Sequence, residues 1–108
     1  MTVKRREIYL AALPGQVKPR PAVILTVDWL SPYALDVSVV PLTSVRRGNF
    51  PARVELPAGE GGLKTTSWAK CDQVTTLPKA HLAPRAFGRV GLRKLAEIEG
   101  AVRLALGL

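Results

Sequence analysis

Cysteine and histidine are all but missing from this chain, whose 108 residues include one of each, Cys71 and His81. A lone cysteine has no internal partner, so neither a disulfide framework nor an oxidising compartment is implied. One Cys and one His fall short of the ~4 ligands of a structural zinc site. No metal and no cofactor is therefore expected. Long apolar runs are missing too, and no stretch approaches the ~18–20 residues of a membrane span. The basic start, Lys4-Arg5-Arg6, leads into an apolar stretch over residues 8–13 that ends at Pro14-Gly15. That stretch is shorter than the ~7–15 residues of a signal core, so a cytoplasmic protein without membrane contact is expected. Repeats, linkers and low-complexity segments are absent. The length fits a single domain, residues 1–108, since domains cluster at ~100–150 residues.

Acidic residues are scarce: eight Asp/Glu stand against sixteen Lys/Arg, a formal charge of +8. The basic residues group at 4–6, 18–20, 46–53 and 85–94. Such a balance speaks of partners rather than fold. It points to a polyanion, or to an acidic protein that competes with one, although a merely well-solvated surface gives the same numbers.

What is present reads as short strands. Residues 6–13 form a first strand, halted by Pro14-Gly15. Pro19 and Pro21 flank Arg20 and push it toward an extended conformation. The run over residues 22–27 is near-continuously apolar and rich in β-branched residues, as in a central strand buried on both faces. Residues 29–34 read as a loop or single helical turn, with Ser31-Pro32 as a helix start. A strand over 35–42 carries Pro41 near its end or at a bulge. Residues 45–49 make a basic turn, residues 50–56 alternate as a strand, residues 57–62 loop, and residues 65–74 form another strand. Residues 76–82 read as a turn, broken at Leu77-Pro78, and residues 88–90 as a short closing strand. From Gly91 onward Leu92, Leu95, Ile98, Val102 and Leu106 recur every three or four residues, the stripe of an amphipathic helix. That stripe packs on its own sheet or, in part, on a partner copy. The predicted architecture is mostly β with one α element: a small, strongly curved antiparallel sheet or barrel closed by a C-terminal helix.

Three polar clusters fall at strand ends: Lys18 with Arg20, Thr43 with Ser44, and Lys70 with Asp72 and Gln73. If the strands beginning at Arg20 and ending at Thr43 pair, a guanidinium and two hydroxyls converge on one oxyanion, and the phosphate of a nucleic acid suits the charge. Each cluster also has an ordinary use: a surface arginine, a hydroxyl turn cap, an Asx turn at a strand exit.

The order of these pieces resembles the MazF/PemK (Kid-like) toxins of bacterial toxin–antitoxin pairs. The matching segments are Arg6-Glu7-Ile8-Tyr9, Arg20-Pro21-Ala22-Val23-Ile24, Val40-Pro41-Leu42-Thr43-Ser44 and residues 50–56. They continue with Gly62-Leu63, Ser67-Trp68-Ala69-Lys70-Cys71-Asp72-Gln73-Val74, Leu77, Gly88-Arg89-Val90 and the ending Leu106-Gly107. The resemblance implies a PemK-type, SH3-like barrel with a C-terminal helix. It implies a homodimer that cuts single-stranded RNA at short sequences without metal, and an acidic antitoxin of MazE type that covers the RNA site. By position, Arg20 and Thr43 match the pair tied to cleavage, Asp72 and Gln73 match an Asp-Gln pair near the RNA, and Lys70 stands where some members carry arginine. The first loop departs from the pattern: Pro14-Gly15-Gln16-Val17-Lys18-Pro19 is short and holds neither histidine nor carboxylate.

Metal-free RNA cleavage runs by attack of the 2′-OH on the adjacent phosphate, and needs a proton acceptor, charge stabilisation and a donor to the leaving oxygen. Arg20 suits charge stabilisation; with a pKa above ~12 it is a poor base. Thr43 and Ser44 donate to the same phosphate, Asp72 is the available base, and Lys70 serves as acid or second phosphate clamp. Arg46, Arg47 and Arg53 are candidate phosphate contacts. Of the aromatics able to stack on bases, Trp29 lies in a loop and is the better candidate; Phe87 is another, while Phe50 and Trp68 sit in strand patterns that suit core packing. His81 lies in the turn beyond the site strand and reads as a surface or capping residue. The alternative, from another class, is a non-catalytic binding protein on the same barrel: a CcdB-like topoisomerase inhibitor or an RNA-binding module.

Overall fold

A computed structural model describes residues 2–108. The chain turns sharply at Arg6, whose φ of 81° is left-handed, and its Nε–H donates to the Val90 carbonyl at 2.9 Å. β1 (Glu7–Ala11) follows, then β2 (Arg20–Ile24). They pair antiparallel, from Ile8 with Val23 to Ala11 with Arg20. β3 (Asp36–Thr43) is the long strand on which the sheet curls. One side of it pairs with β2. Its other side takes two partners, β6 (Thr75–Pro78) against residues 36–39 and β5 (Ser67–Lys70) against Leu42 and Thr43. Pro41 falls at the changeover between those partners, where a missing N–H costs no ladder bond. β4 (Arg53–Leu56) pairs with β5, and β7 (Gly88–Arg89) with β1. The seven strands run β4-β5-β3-β2-β1-β7, with β6 beside β3.

Both faces of the curl are buried. Val23, Val40, Leu42, Leu56 and Ala69 pack under α1 (Leu92–Leu106). Tyr9, Ala22, Ile24, Val37, Val39 and Leu77 pack on the opposite side. The continuously apolar β2 therefore serves both layers, as its composition required. α1 presents Leu95, Ile98 and Val102 to β4 and the core, and ends at Gly107, whose φ of 74° is the left-handed C-cap. The ends of the predicted stripe stay outside: Leu92 is 68% and Leu106 50% exposed.

Two predicted elements change. The strand expected over residues 65–74 ends at Lys70 in a turn closed by the Gln73 N–H on the Lys70 carbonyl at 3.0 Å. The segment expected as a turn over 76–82 contains β6. Pro78 had signalled a break, but it takes the last place of a strand paired only to β3, where no N–H is needed.

The loop between β4 and β5 folds back against β7. It does so through glycine: a Cβ on Gly62 (φ 84°) would stand 2.4 Å from the Phe87 carbonyl oxygen, and one on Gly88 2.7 Å from that of Gly61. From the same loop Glu60 accepts the first free N–H of α1, that of Gly91, at 2.6 Å. Loop, closing strand and helix start are thus one packed unit.

Candidate active site

β2 begins at Arg20 and β3 ends at Thr43, and the two strands are antiparallel. Ala22 pairs with Pro41. That is the last pair of the ladder, and Arg20 and Thr43 each lie two residues past it at the same end. Arg20, Thr43 and Ser44 line one cleft of about 570 Å³ at this end of the barrel. Arg20 and Ser44 are exposed and Thr43 is half-buried. The Thr43 hydroxyl also has its local use, since Oγ1 accepts the Val45 N–H at 3.1 Å. That bond occupies a lone pair and fixes the side chain, leaving the hydroxyl proton to donate elsewhere.

A second group of charges adjoins. Arg53 and Lys70 pair directly across β4 and β5, and like charges so placed repel. Lys70 has its pKa lowered, first by burial and then by Arg53 and Arg20, with Asp72 opposing. Arg20, Arg53 and Asp72 are therefore each within electrostatic reach of Lys70. Asp72 and Gln73 stand exposed in the turn after β5. Among the described residues the ion pairs are Arg5–Glu99 and Lys94–Glu97, so these three cations have no carboxylate bound to them. Arg53 lies 5.0 Å and Arg47 5.4 Å from the centre of the Phe50 ring, and the Arg53 Nε is buried without a hydrogen-bond partner.

The remaining candidates are more scattered. Lys18 is exposed in the connection just before Arg20, and Arg46 and Arg47 in the loop just after Ser44. Trp29 is 73% exposed but lies beyond Ile24, the far end of β2 from Arg20, so the structure separates it from the cleft. His81 sits exposed in a single 3-10 turn, its carbonyl accepting the Ala12 N–H at 2.9 Å, and does not line the cleft. Phe50 and Trp68 are only partly buried and belong to neither core layer, which corrects their expected core packing. Trp68 pairs with Thr43 on one side and Glu55 on the other and so shares their face. The basic start is structural: Arg5 donates to the Leu25 carbonyl and pairs with Glu99, and Arg6 holds Val90. Cys71 is buried, its thiol pushed up to about 12 by burial first and Asp72 second, and is no nucleophile at neutral pH.

Sequence reasoning missed the wall of the cleft formed by Leu63, Lys64, Thr65 and Ser67, with Phe87 beside it. The signal lay in glycine spacing, because Gly62 and Gly88 bring two remote segments together.

Comparison with known proteins agrees with this geometry. Residues 4–106 match the family model of the PemK-like, MazF-like toxin of type II toxin–antitoxin systems. The chain belongs to the PemK/MazF toxin family. It is 33% identical to a probable endoribonuclease MazF of Mycolicibacterium smegmatis, over 98% of each chain. The structure of the Mycobacterium tuberculosis toxin MazF-mt6 superposes with a TM-score of 0.83 at 31% identity, covering 95% of this chain and 98% of that one. An endoribonuclease from a mycobacterial species, solved in complex with its cognate antitoxin, superposes with a TM-score of 0.84 at 26% identity, covering 98% and 96%. The PemK/MazF match spans both strands that meet at the cleft, so Arg20 and Thr43 lie inside the family domain. No described helix is long and apolar enough to cross a membrane.

Proposed function

We propose that this PemK/MazF-family chain is a sequence-specific endoribonuclease toxin that cuts single-stranded RNA without a metal. The 2′-OH attacks the adjacent phosphate and expels the 5′ oxygen of the next nucleotide, leaving a 2′,3′-cyclic phosphate and a 5′-OH. The observation that carries this reading is the meeting of Arg20 with Thr43 and Ser44 in one cleft. Arg20 clamps the phosphate through its planar fork and stabilises the charge gathered in the transition state. Thr43, steadied by the Val45 N–H, donates to the same phosphate, and Ser44 adds a second hydroxyl. Asp72 takes the 2′-OH proton. Lys70, its pKa lowered chiefly by burial, returns a proton to the leaving oxygen. Lys18, Arg46, Arg47, Arg53 and Gln73 hold the flanking backbone.

One relative was solved in complex with its cognate antitoxin; the partner proposed for this chain is an acidic antitoxin of MazE type whose carboxylates compete with RNA for the unpaired cations. The working form is a cytoplasmic homodimer. The test is incubation of the purified protein with a long single-stranded RNA in EDTA, followed by mapping of the new 5′ ends. Discrete cuts ending in 5′-OH are expected. Retarded RNA without fragments would replace the enzyme by an RNA-binding module.

A further inference from the structure

The clamp around Arg20 and Thr43 explains one rim of the cleft but not its body. A phosphate needs donors, whereas much of this cavity is apolar, walled by Pro21, Leu42, Leu63 and Phe87. Its 570 Å³ lies within the range of built small-ligand sites, ~300–1,000 Å³. Phe87 stands out there, 41% exposed where Leu42 and Leu63 are buried. Its backbone is fixed, because the N–H donates to the Ile8 carbonyl at 2.8 Å and Gly62 and Gly88 lock the loop and closing strand together on either side. A half-open aromatic ring on a fixed backbone, beside the proposed phosphate clamp, offers a flat apolar face.

We infer that this cleft receives one unpaired nucleobase next to the scissile phosphate, and that Phe87 is the platform on which that base stacks. The inference rests on the nuclease reading and deepens it. The hydroxyls of Thr65 and Ser67 and the Lys64 ammonium, on the same wall, supply polar groups for the base edge. The Ser67 Oγ donates to the Thr65 carbonyl at 3.2 Å, so its lone pairs remain available as acceptors. Stacking is sequence-tolerant, since every base has a π-face; those edge groups set the preference.

The test uses the full chain and a short single-stranded RNA spanning a mapped cut, made uncleavable by one 2′-deoxy sugar at the cut. A series of such probes carries a single abasic position moved stepwise along the strand. With the wild-type protein, an abasic position flanking the cut should weaken binding by about 5- to 150-fold, the worth of one base–aromatic stack. With Phe87→Ala that penalty should vanish, and with Phe87→Tyr it should return. Unfolding midpoints of both variants check that the fold persists. Discrete cutting by the wild type, with no abasic position that distinguishes it from Phe87→Ala, overturns this inference and leaves the nuclease reading standing. Absence of any cutting in EDTA overturns both.

Discussion

Lys70 shows how much one side chain reports about the site. It faces Arg53 across the sheet and feels Arg20, so burial and two like charges penalise its protonated form. In the native chain its pKa lies below the ordinary lysine value, so the unfolded chain binds the proton more readily. Stability therefore rises with pH through the window between the lowered native value and the ordinary one, and the penalty is fully present only below that native value. Lys70→Met is accordingly expected to raise the unfolding midpoint at pH 7, with the gain shrinking toward pH ~10.4 as the lysine discharges in the unfolded chain as well. Denaturant melts at the two pH values measure it; a gain that persists or grows would show that Lys70 is not held under strain. At this scale the sequence was legible where chemistry is tied to position, as with Arg20 between prolines and Thr43 at a strand end. Its distance from the cleft made Trp29 less legible, because a loop aromatic looks like a binding group whichever end of the sheet it occupies.

Elements were legible in proportion to their periodicity. The centre of α1 and the doubly buried β2 followed from their apolar patterns. β6 did not, because Thr75-Thr76-Leu77-Pro78 carries too little pattern to outvote its proline, and only its edge position beside β3 makes that proline harmless. The cleft wall was hidden for a different reason. Its position depends on contact between two loops distant in sequence, made possible by the missing side chains of Gly62 and Gly88. Gly62→Ala should therefore cost about 1–3 kcal/mol, from a left-handed φ and from a methyl group driven against the Phe87 carbonyl. Chemical denaturation measures the cost. A neutral result would mean that the loop is free to move away and that the cleft has no fixed wall.

For the whole molecule the decisive property is unbalanced positive charge, part of it left unpaired beside the cleft. The formal charge is +8, but its distribution matters more: Arg5 and Arg6 are spent on the frame, while Arg20, Arg53 and Lys70 are left without bound carboxylates. If those three alone meet phosphates, the affinity for an uncleavable single-stranded RNA should fall with a log–log salt slope of about −2, at ~0.7 per contact. A steeper slope is expected if Lys18, Arg46 and Arg47 join them. A slope near zero would mean that the charge serves solubility alone.

The cleavage rate of Arg20→Ala bears most directly on the proposed chemistry. Single-turnover cutting of a mapped RNA in EDTA should be about 10²–10³ slower than for the wild-type protein, the usual consequence of losing one preorganised donor to a transition-state oxyanion. The unfolding midpoint should stay close to the wild-type value, because Arg20 is exposed. Cutting at the wild-type rate would place the reaction somewhere other than the cleft shared by β2 and β3.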